Sequence, residues 1–326
     1  TQKKANLTGA VATVDVNKTL DSRPIADIGR GLQGAVAGVN ITIPTGEVGS
    51  DPLIKIRGQV GSISGNNTPL ILLDNVEIPS IQMVNPNDVQ SISVLKDAAS
   101  SSIYGSKAAF GVILITTKSG AQSDKFEISY SNNFSWQDPA KKIEIGGIEA
   151  LQYTLDAQTN RREPMPAGGF WRISPESLEK AIEWQNLYGG KVKWNDPVVY
   201  GRDWFYDGKD KYGYRLYDGA KAMIKNWTPT MTHNLSVNGK SGKTSYNIGL
   251  GYLDQSGMSK TAKKDDFKRY NASVSVTSEI NKYITVRASS IYSDRNKRYP
   301  GIGNTTADPW LYLYRWSPLM PMGVTE

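Results

Sequence analysis

FEISYSNNFSW at residues 126–136 decides the architecture. Phe126, Ile128, Tyr130, Phe134 and Trp136 share one parity, and Glu127, Ser129, Ser131, Asn133 and Ser135 share the other. A period of two held over eleven residues is the pattern of a β-strand with one apolar and one polar face. The alternation returns at Met231, His233, Leu235 and Val237, and again at Tyr246, Ile248, Leu250 and Tyr252. It continues at Tyr270, Ala272, Val274 and Val276, and then at Ile284, Val286, Ala288 and Tyr292. The pattern therefore predicts five strands, near 126–136, 230–239, 243–253, 267–278 and 282–293. Short turns, KSGK at 240–243 and EINK at 279–282, alternate with long connections at 137–229, 253–266 and from 293 onward.

A water-soluble antiparallel sheet alternates in the same way. Two features favour a membrane β-barrel. The polar face is mainly Ser, Thr and Asn, with few of the Lys and Glu expected on an open water-facing sheet, and aromatic residues gather near the strand ends. Ten residues at ~3.3 Å and ~45° tilt span roughly 23 Å, close to the ~25 Å apolar band of such barrels. Alternating short turns and long loops is a further trait of outer-membrane barrels. The longest apolar runs, such as LILL at 70–73, fall far short of the ~18 residues of a membrane-spanning helix, but barrel strands escape that criterion. Five strands are fewer than the ~8 needed to close a membrane barrel, so the sequence is expected to be part of a longer polypeptide.

Composition narrows the chemistry. The 326 residues include no cysteine and one histidine, His233. Disulfides, thiol nucleophiles, iron–sulfur clusters and multi-histidine metal sites are thereby excluded, and no cofactor is expected. The net charge is +7, with lysines spread over turns and loops and no nucleic-acid motif beside them. Anionic outer-membrane lipid is the simpler partner for that charge. Of the aromatic residues, only Tyr104 and Phe110 precede residue 121. This shift places a domain boundary at the polar stretch KSGAQSD, 118–124, dividing the chain into 1–120 and 121–326.

The first domain reads as mixed α/β. Residues 7–16 suit a strand, and Pro24 can open a helix carrying Ile25, Ile28, Leu32, Ala35, Val36 and Val39 at helical spacing. VNITI (39–43), LIKIR (53–57), LILLDNVEI (70–78), DVQSISVL (88–95) and FGVILITTK (110–118) read as extended runs. Asp97 is placed to cap a short helix and Gly105 to end it. GRGLQG at 29–34 matches a dinucleotide fingerprint in letters alone, because helical periodicity runs through its glycines. GKT at 242–244 lacks the first glycine of a P-loop and reads as a turn.

KIRGQVGSISGNNTPLILLDNVEI (55–78) and NPNDVQSISVLKDAASSSIYGSKAAFGVILITTK (85–118) resemble the plug of the SusC/RagA family of TonB-dependent outer-membrane transporters of Bacteroidetes. TQKKANLTGAV at the start and LQGAVAGV (32–39) fit the same pattern. The resemblance implies a 22-stranded membrane β-barrel with the mixed α/β plug inside its lumen, of which this chain holds the plug and about five strands. It implies import of oligosaccharides or peptides rather than enzymatic activity. A SusD-like surface lipoprotein would capture cargo, TonB with ExbB–ExbD would supply energy through a TonB box upstream of Thr1, and transporter–lipoprotein units could pair as dimers. A non-transporting surface-binding or adhesion β-protein remains the alternative from another class.

Candidate cargo contacts fall in two places. GQVGSISGNN at 58–67 offers Ser62, Ser64, Asn66 and Asn67 with exposed backbone amides, or is an ordinary loop. The insertion 137–229 carries Trp171, Trp194, Trp204 and Tyr206, whose rings can stack on sugar faces or serve loop packing. Within it, SPESLEKAIEWQNLYGG reads as a helix capped by Ser174 and ended by Gly189, with Leu178, Ile182 and Leu187 facing inward. Trp136 and Trp227 fit an interfacial belt, Asp74 and Asp97 fit turn or cap roles, and Arg30 and Arg57 fit pairing with acids inside the plug or with the barrel wall. The aromatic loop 308–321 could touch the lipoprotein or pack on its neighbours.

Overall fold

The structure is a computed structural model that describes residues 11–15, 27–43, 47–56, 68–120, 124, 126–139, 144–161, 173–193, 195–209, 211–299 and 318–319. The N-terminal part contains β1 (Val11–Asp15), α1 (Ile28–Leu32), β2 (Val39–Thr42), β3 (Leu53–Ile56), β4 (Leu70–Leu73), β5 (Val76–Glu77), β6 (Val89–Leu95), α2 (Ala98–Ser101) and β7 (Val112–Thr117). Five strands form a mixed sheet in the order β1-β6-β7-β4-β5, while β2 and β3 pair separately. Within the described strands of this sheet β4 and β7 form the parallel pair, and the residues between them supply the crossover such a pair requires. Ile28, Leu32, Ile54, Ile56, Ile92, Ile113 and Ile115 close the core between sheet and helix. Branched aliphatic residues do here what aromatics do in a larger core, as the aromatic-poor composition requires.

Two expectations for this part are corrected. LILLDNVEI is a hairpin, because Asp74 (φ 47°) and Asn75 (φ 70°) form a two-residue turn between paired Leu73 and Val76. The helix expected through Val39 ends at Leu32. Asp27 caps its start by accepting from Arg30 N at 2.8 Å, and Val39 already belongs to a strand. Pro24 lies outside the described residues. Asp97 caps α2 by accepting from Ser100 N at 2.7 Å, and Gly105 takes a positive φ of 69°.

After β8 (Glu127–Gln137) comes a separate compact unit with α3 (Ile148–Arg161), α4 (Pro175–Tyr188), β9 (Trp204–Tyr206), β10 (Lys211–Gly213) and α5 (Gly219–Met223). Ser174 Oγ accepts from Ser177 N at 3.1 Å, and Gly189 N donates to Gln185 O, so both ends of α4 fall where the sequence puts them. Its buried face is Leu178, Ala181 and Trp184, whereas Ile182 and Leu187 are 38% and 51% exposed. The indole of Trp184 takes the inward face because its N–H finds a buried acceptor. Helix α3, which the periodicity does not announce, packs Leu151 against Ile173, Leu178 and Ala181.

The remaining strands are β11 (Thr228–Ser241), β12 (Thr244–Ser256), β13 (Asp266–Glu279) and β14 (Thr285–Arg298). With β8 they form one antiparallel sheet, here called the wall, in the order β14-β13-β12-β11-β8. Its strands run to 14 residues, so at ~45° tilt they rise roughly 33 Å and overshoot a ~25 Å apolar band. Ile128, Tyr130, Phe134, Leu235, Ile248, Leu250, Tyr270, Val274 and Tyr292 are exposed on the outer face. On the other face of β13, Arg269, Asn271, Ser273 and Ser275 are buried. The wall and the N-terminal elements pack as a single compact unit.

Candidate functional site: the seam between the N-terminal sheet and the wall

The inner face of the wall meets the N-terminal part through polar groups. The segment leading into β6 carries most of them. Arg295 Nη1 donates to Ser80 Oγ at 2.6 Å, and Arg269 Nη1 donates to Gln82 O at 3.0 Å. Asn271 Nδ2 donates to Met83 O at 2.8 Å, and Asn85 Nδ2 donates to Asn234 Oδ1 at 2.9 Å. Two 3₁₀ turns, Ile81–Met83 and Pro86–Asp88, bend this segment so that its carbonyls face the wall. Each turn is opened by a cap: Ser80 accepts from Gln82 N and Asn85 from Asn87 N.

A second contact group involves Glu47–Asp51. Lys297 Nζ lies 2.8 Å from both Glu47 Oε2 and Ser50 Oγ, and Ser80 Oγ donates to Asp51 Oδ1 at 2.6 Å. Val48 packs with Leu253 and Phe267 of the wall, a small apolar patch in a mostly polar seam. Burial pushes the Glu47 carboxyl up, but hydrogen bonds from Lys297 and Ser50 outweigh it and leave the group below its ordinary value. Burial raises the Asp88 carboxyl, opposed only in part by Ser273 and by the charges of Lys118 and Arg269.

Further along, Asp74 accepts from Thr117 N at 3.0 Å and from the Thr117 hydroxyl, and Arg287 Nη2 stands 3.9 Å from Asp74 Oδ1. A cavity of about 340 Å³ opens here, lined by Asp74, Asn75, Leu114, Thr116, Arg287 and Ser289. Asp74 is thus a turn residue, Asp97 a cap, and Arg30 pairs with Asp27 at 3.2 Å, as the sequence suggests. Arg57 lies outside the described residues. His233 sits on the outer face, where Tyr130 Oη and His233 Nδ1 are 2.7 Å apart and the rings of Phe134 and Tyr252 surround it.

The insertion is organised around Asp203, which is fully buried. It accepts from Trp184 Nε1 at 3.0 Å, Arg202 Nε at 2.9 Å, Arg202 Nη2 at 2.7 Å, Val199 N at 2.9 Å and Arg215 Nη1 at 3.3 Å. Burial raises its carboxyl, yet the donors led by Arg202 hold it below the ordinary carboxylate value. Burial likewise pushes the Tyr217 hydroxyl up to about 12.

Among the expected cargo contacts, Trp204 is corrected as an exposed platform. It is 5% exposed, with Tyr200 edge-on at 5.0 Å and Lys211 Nζ 4.9 Å over its ring. Tyr206 is exposed, and its hydroxyl donates to Gly208 O at 2.7 Å. Beside it Tyr200 and Phe205 stack at 6.1 Å and are both exposed. Ser62, Ser64, Asn66, Asn67, Trp171 and Trp194 lie outside the described residues, as does most of the loop 308–321. Sequence reasoning missed Asn234, Arg269 and Asn271 at the seam. Their signal was parity, since each occupies a polar-face position of a predicted strand.

Residues 3–112 match the family model described as TonB-dependent Receptor Plug Domain. The chain is 29% identical over 315 residues to TonB-dependent receptor P26 of Formosa agariphila, covering 94% of this chain and 27% of that protein. It is 26% identical over 283 residues to TonB-dependent receptor SusC of Bacteroides thetaiotaomicron, covering 84% of this chain and 23% of that protein. Of solved structures, the RagAB peptide importer in its open-open state aligns with a TM-score of 0.66 at 28% identity, over 92% of this chain and 32% of that one. Its closed-closed state aligns with a TM-score of 0.64 at 29% identity, over 90% and 31%. The chain spans about a quarter to a third of the length of these relatives.

Proposed function

Because this chain belongs to the SusC/RagA type of TonB-dependent outer-membrane transporters, of which it holds the plug and five wall strands, we propose that the whole protein imports oligosaccharides across the outer membrane. The observation that carries this reading is the polar seam between plug and wall. A plug held by hydrogen bonds can let go into water without exposing a large apolar core, because each lost contact is exchanged for one with solvent. Import would draw its energy from TonB with ExbB–ExbD and would use a SusD-like surface lipoprotein to capture cargo, with two such units able to pair.

The choice of oligosaccharide rests on the exposed rings of Tyr200, Phe205 and Tyr206, whose faces suit the C–H surface of a sugar. Peptide cargo is the second reading, favoured by the likeness to the RagAB peptide importer. A non-transporting surface-binding role is the third. Calorimetry and uptake with the full-length protein and its lipoprotein, against panels of oligosaccharides and of peptides, decide between them. Glycan binding reduced by Tyr206→Ala supports the first, peptide binding alone supports the second, and binding of either without uptake supports the third.

A further inference from the structure

The outer face of the wall changes character along a slanted line. Cross-strand register joins Phe134, Met231, Asp254, Lys268 and Asn296 into one row across all five strands. That row is apolar at its β8 end and charged or polar towards β14. A second row, four residues nearer the short turns, joins Tyr130, Leu235, Leu250, Ala272 and Tyr292 and carries no charge. The last outer ring before the charges therefore falls in a different row on different strands. On β14 it is Tyr292, with Asp294 next on that face. On β13 it is Tyr270, with Lys268 next, and on β12 it is Tyr252, with Asp254 next. On β8 it is Trp136, six residues beyond Tyr130, which shares its row with Tyr292.

A boundary square to the strands would cross all of them in one row. This one climbs six residues from β14 to β8, over the four spacings between five neighbouring strands. At ~3.3 Å per residue and ~4.8 Å per spacing, the climb is about 20 Å against about 19 Å, a slant of roughly 45°. Strands of membrane barrels tilt by about 35–45°, so a line level with the membrane must cross them at such a slant. On the turn side of the line, the outer-face positions of the described strands hold no Asp, Glu, Lys or Arg. Beyond it, Lys268 Nζ pairs with Asp254 Oδ2 at 3.0 Å and Arg298 Nη2 with Asp266 Oδ2 at 2.7 Å. Tyr252 straddles the line: its ring lies 5.0 Å from that of Tyr270, and its hydroxyl donates to Asp254 Oδ2 at 3.0 Å.

We propose that this line is the outer edge of the hydrocarbon layer on the wall. Acyl chains of outer-leaflet lipid cover the face on the turn side of Trp136, Tyr252, Tyr270 and Tyr292, and Asp254, Lys268, Asp266 and Arg298 stand among the lipid headgroups. The occupant is lipid rather than a second copy of the chain, because a planar bilayer demands one level across tilted strands and a protein surface does not. This placement rests on the transporter reading, in which the five strands are barrel wall. It adds where the membrane meets each strand and how far the strands lean in it. It also sets the outward end, since the long connections leave the wall from its charged ends, as extracellular loops do.

Bimane on single cysteines of the full-length protein in liposomes tests the line, with acyl-chain-brominated lipid and aqueous iodide as opposed quenchers. Phe134→Cys and Asn296→Cys share one row, so only a slanted edge separates them. The ratio of iodide to lipid quenching is expected to be at least ~5-fold higher at 296 than at 134. Leu250→Cys and Val274→Cys are expected to be quenched by lipid alone. Should a labelled variant fail to assemble, wild-type protein crosslinked to a lipid with a photoreactive acyl chain gives the same reading. Crosslinks are then expected on β8 through Phe134 but on β14 no further than Tyr292. Equal ratios at 134 and 296, or acyl-chain crosslinks reaching Asn296, overturn the slanted edge. Shielding of 250 and 274 from both quenchers would put protein on this face and overturn the lipid assignment. Loss of import with the slanted pattern intact would instead count against the transporter reading.

Discussion

Substituting Asp203 by alanine should loosen the insertion without touching the wall. The carboxylate accepts from the Trp184 indole, from two nitrogens of Arg202, from Val199 N and from Arg215. Arg215 is 1% exposed, so the variant leaves a buried cation with backbone carbonyls as its remaining acceptors. Breaking one side of a buried ion pair costs about 3–5 kcal/mol. Hydrogen bonds to charged groups at about 1.5–3 kcal/mol each would sum to more, but the donors share one acceptor and do not add independently. At ~1.4 kcal/mol per decade, 3–5 kcal/mol is an increase of roughly 10²- to 10³·⁵-fold in local opening. Hydrogen exchange of a peptide covering 178–204 in the full-length protein reads that change directly, with the wall strands as internal control. An acceleration below about 10-fold would mean that Arg215 is satisfied by its carbonyls alone and that Asp203 does not organise the unit.

Four other outcomes are expected. Ser174→Ala removes the cap of α4 and should cost about 1 kcal/mol in local stability, read as faster exchange of its first turn. Ile92→Ala, at a fully buried position of the plug sheet, should cost about 2–5 kcal/mol, seen as a lower urea midpoint for plug exchange with wall exchange unchanged. Val274→Lys places a charge on the outer face of β13 and should destabilise the folded barrel in liposomes by about 2–4 kcal/mol, and a cost under about 0.5 would put that position outside the apolar band. The Asp203 carboxyl lies below its unfolded value of about 3.9, so its stabilisation is intact above that pH and is lost only as pH falls through the lower folded value. Exchange of 178–204, corrected for intrinsic rates, should therefore be flat from pH 5 to 8 and rise below about pH 4. A rise near neutrality would implicate another group.

What was legible in the sequence was local. Period-two alternation located all five wall strands, because the side a residue faces depends only on its parity. The Ser174 and Asp97 caps were legible because a cap and its donors lie within three residues. The Asp74–Asn75 turn had a signal too, in a dipeptide that tolerates positive φ, but an apolar run continuing on both sides hid it. The seam was not legible because its partners are distant in sequence: Asn85 and Asn234 are 149 positions apart, and Gln82 and Arg269 are 187 apart. Trp184 and Trp204 show the limit of composition. Both belong to the tryptophan-rich insertion, yet each is about nine-tenths buried or more, one around an indole hydrogen bond and the other beneath Tyr200. Nothing in the local sequence separates a ring that packs from a ring that binds.

The division of labour between apolar and polar contacts bears on how the plug could both seal and yield. Its own core is a continuous cluster of aliphatic side chains, from Val14 to Ile115, and it keeps the sheet together whichever way the wall lies. Among the described residues, the apolar contacts against the wall are Val48 with Leu253 and Phe267, and Ile291 packed on the edge of the plug core. At about 25 cal/mol per Å², a seam built like the core would add several kcal/mol of area-dependent attraction that no solvent contact could replace. A seam of carbonyls, amides and hydroxyls loses less when it opens, because water takes up each partner. Arg269, 3% exposed while the segment lies on it, is shielded from water only as long as the seam is closed. Polar character therefore makes the seam separable, while the aliphatic core holds the plug sheet together.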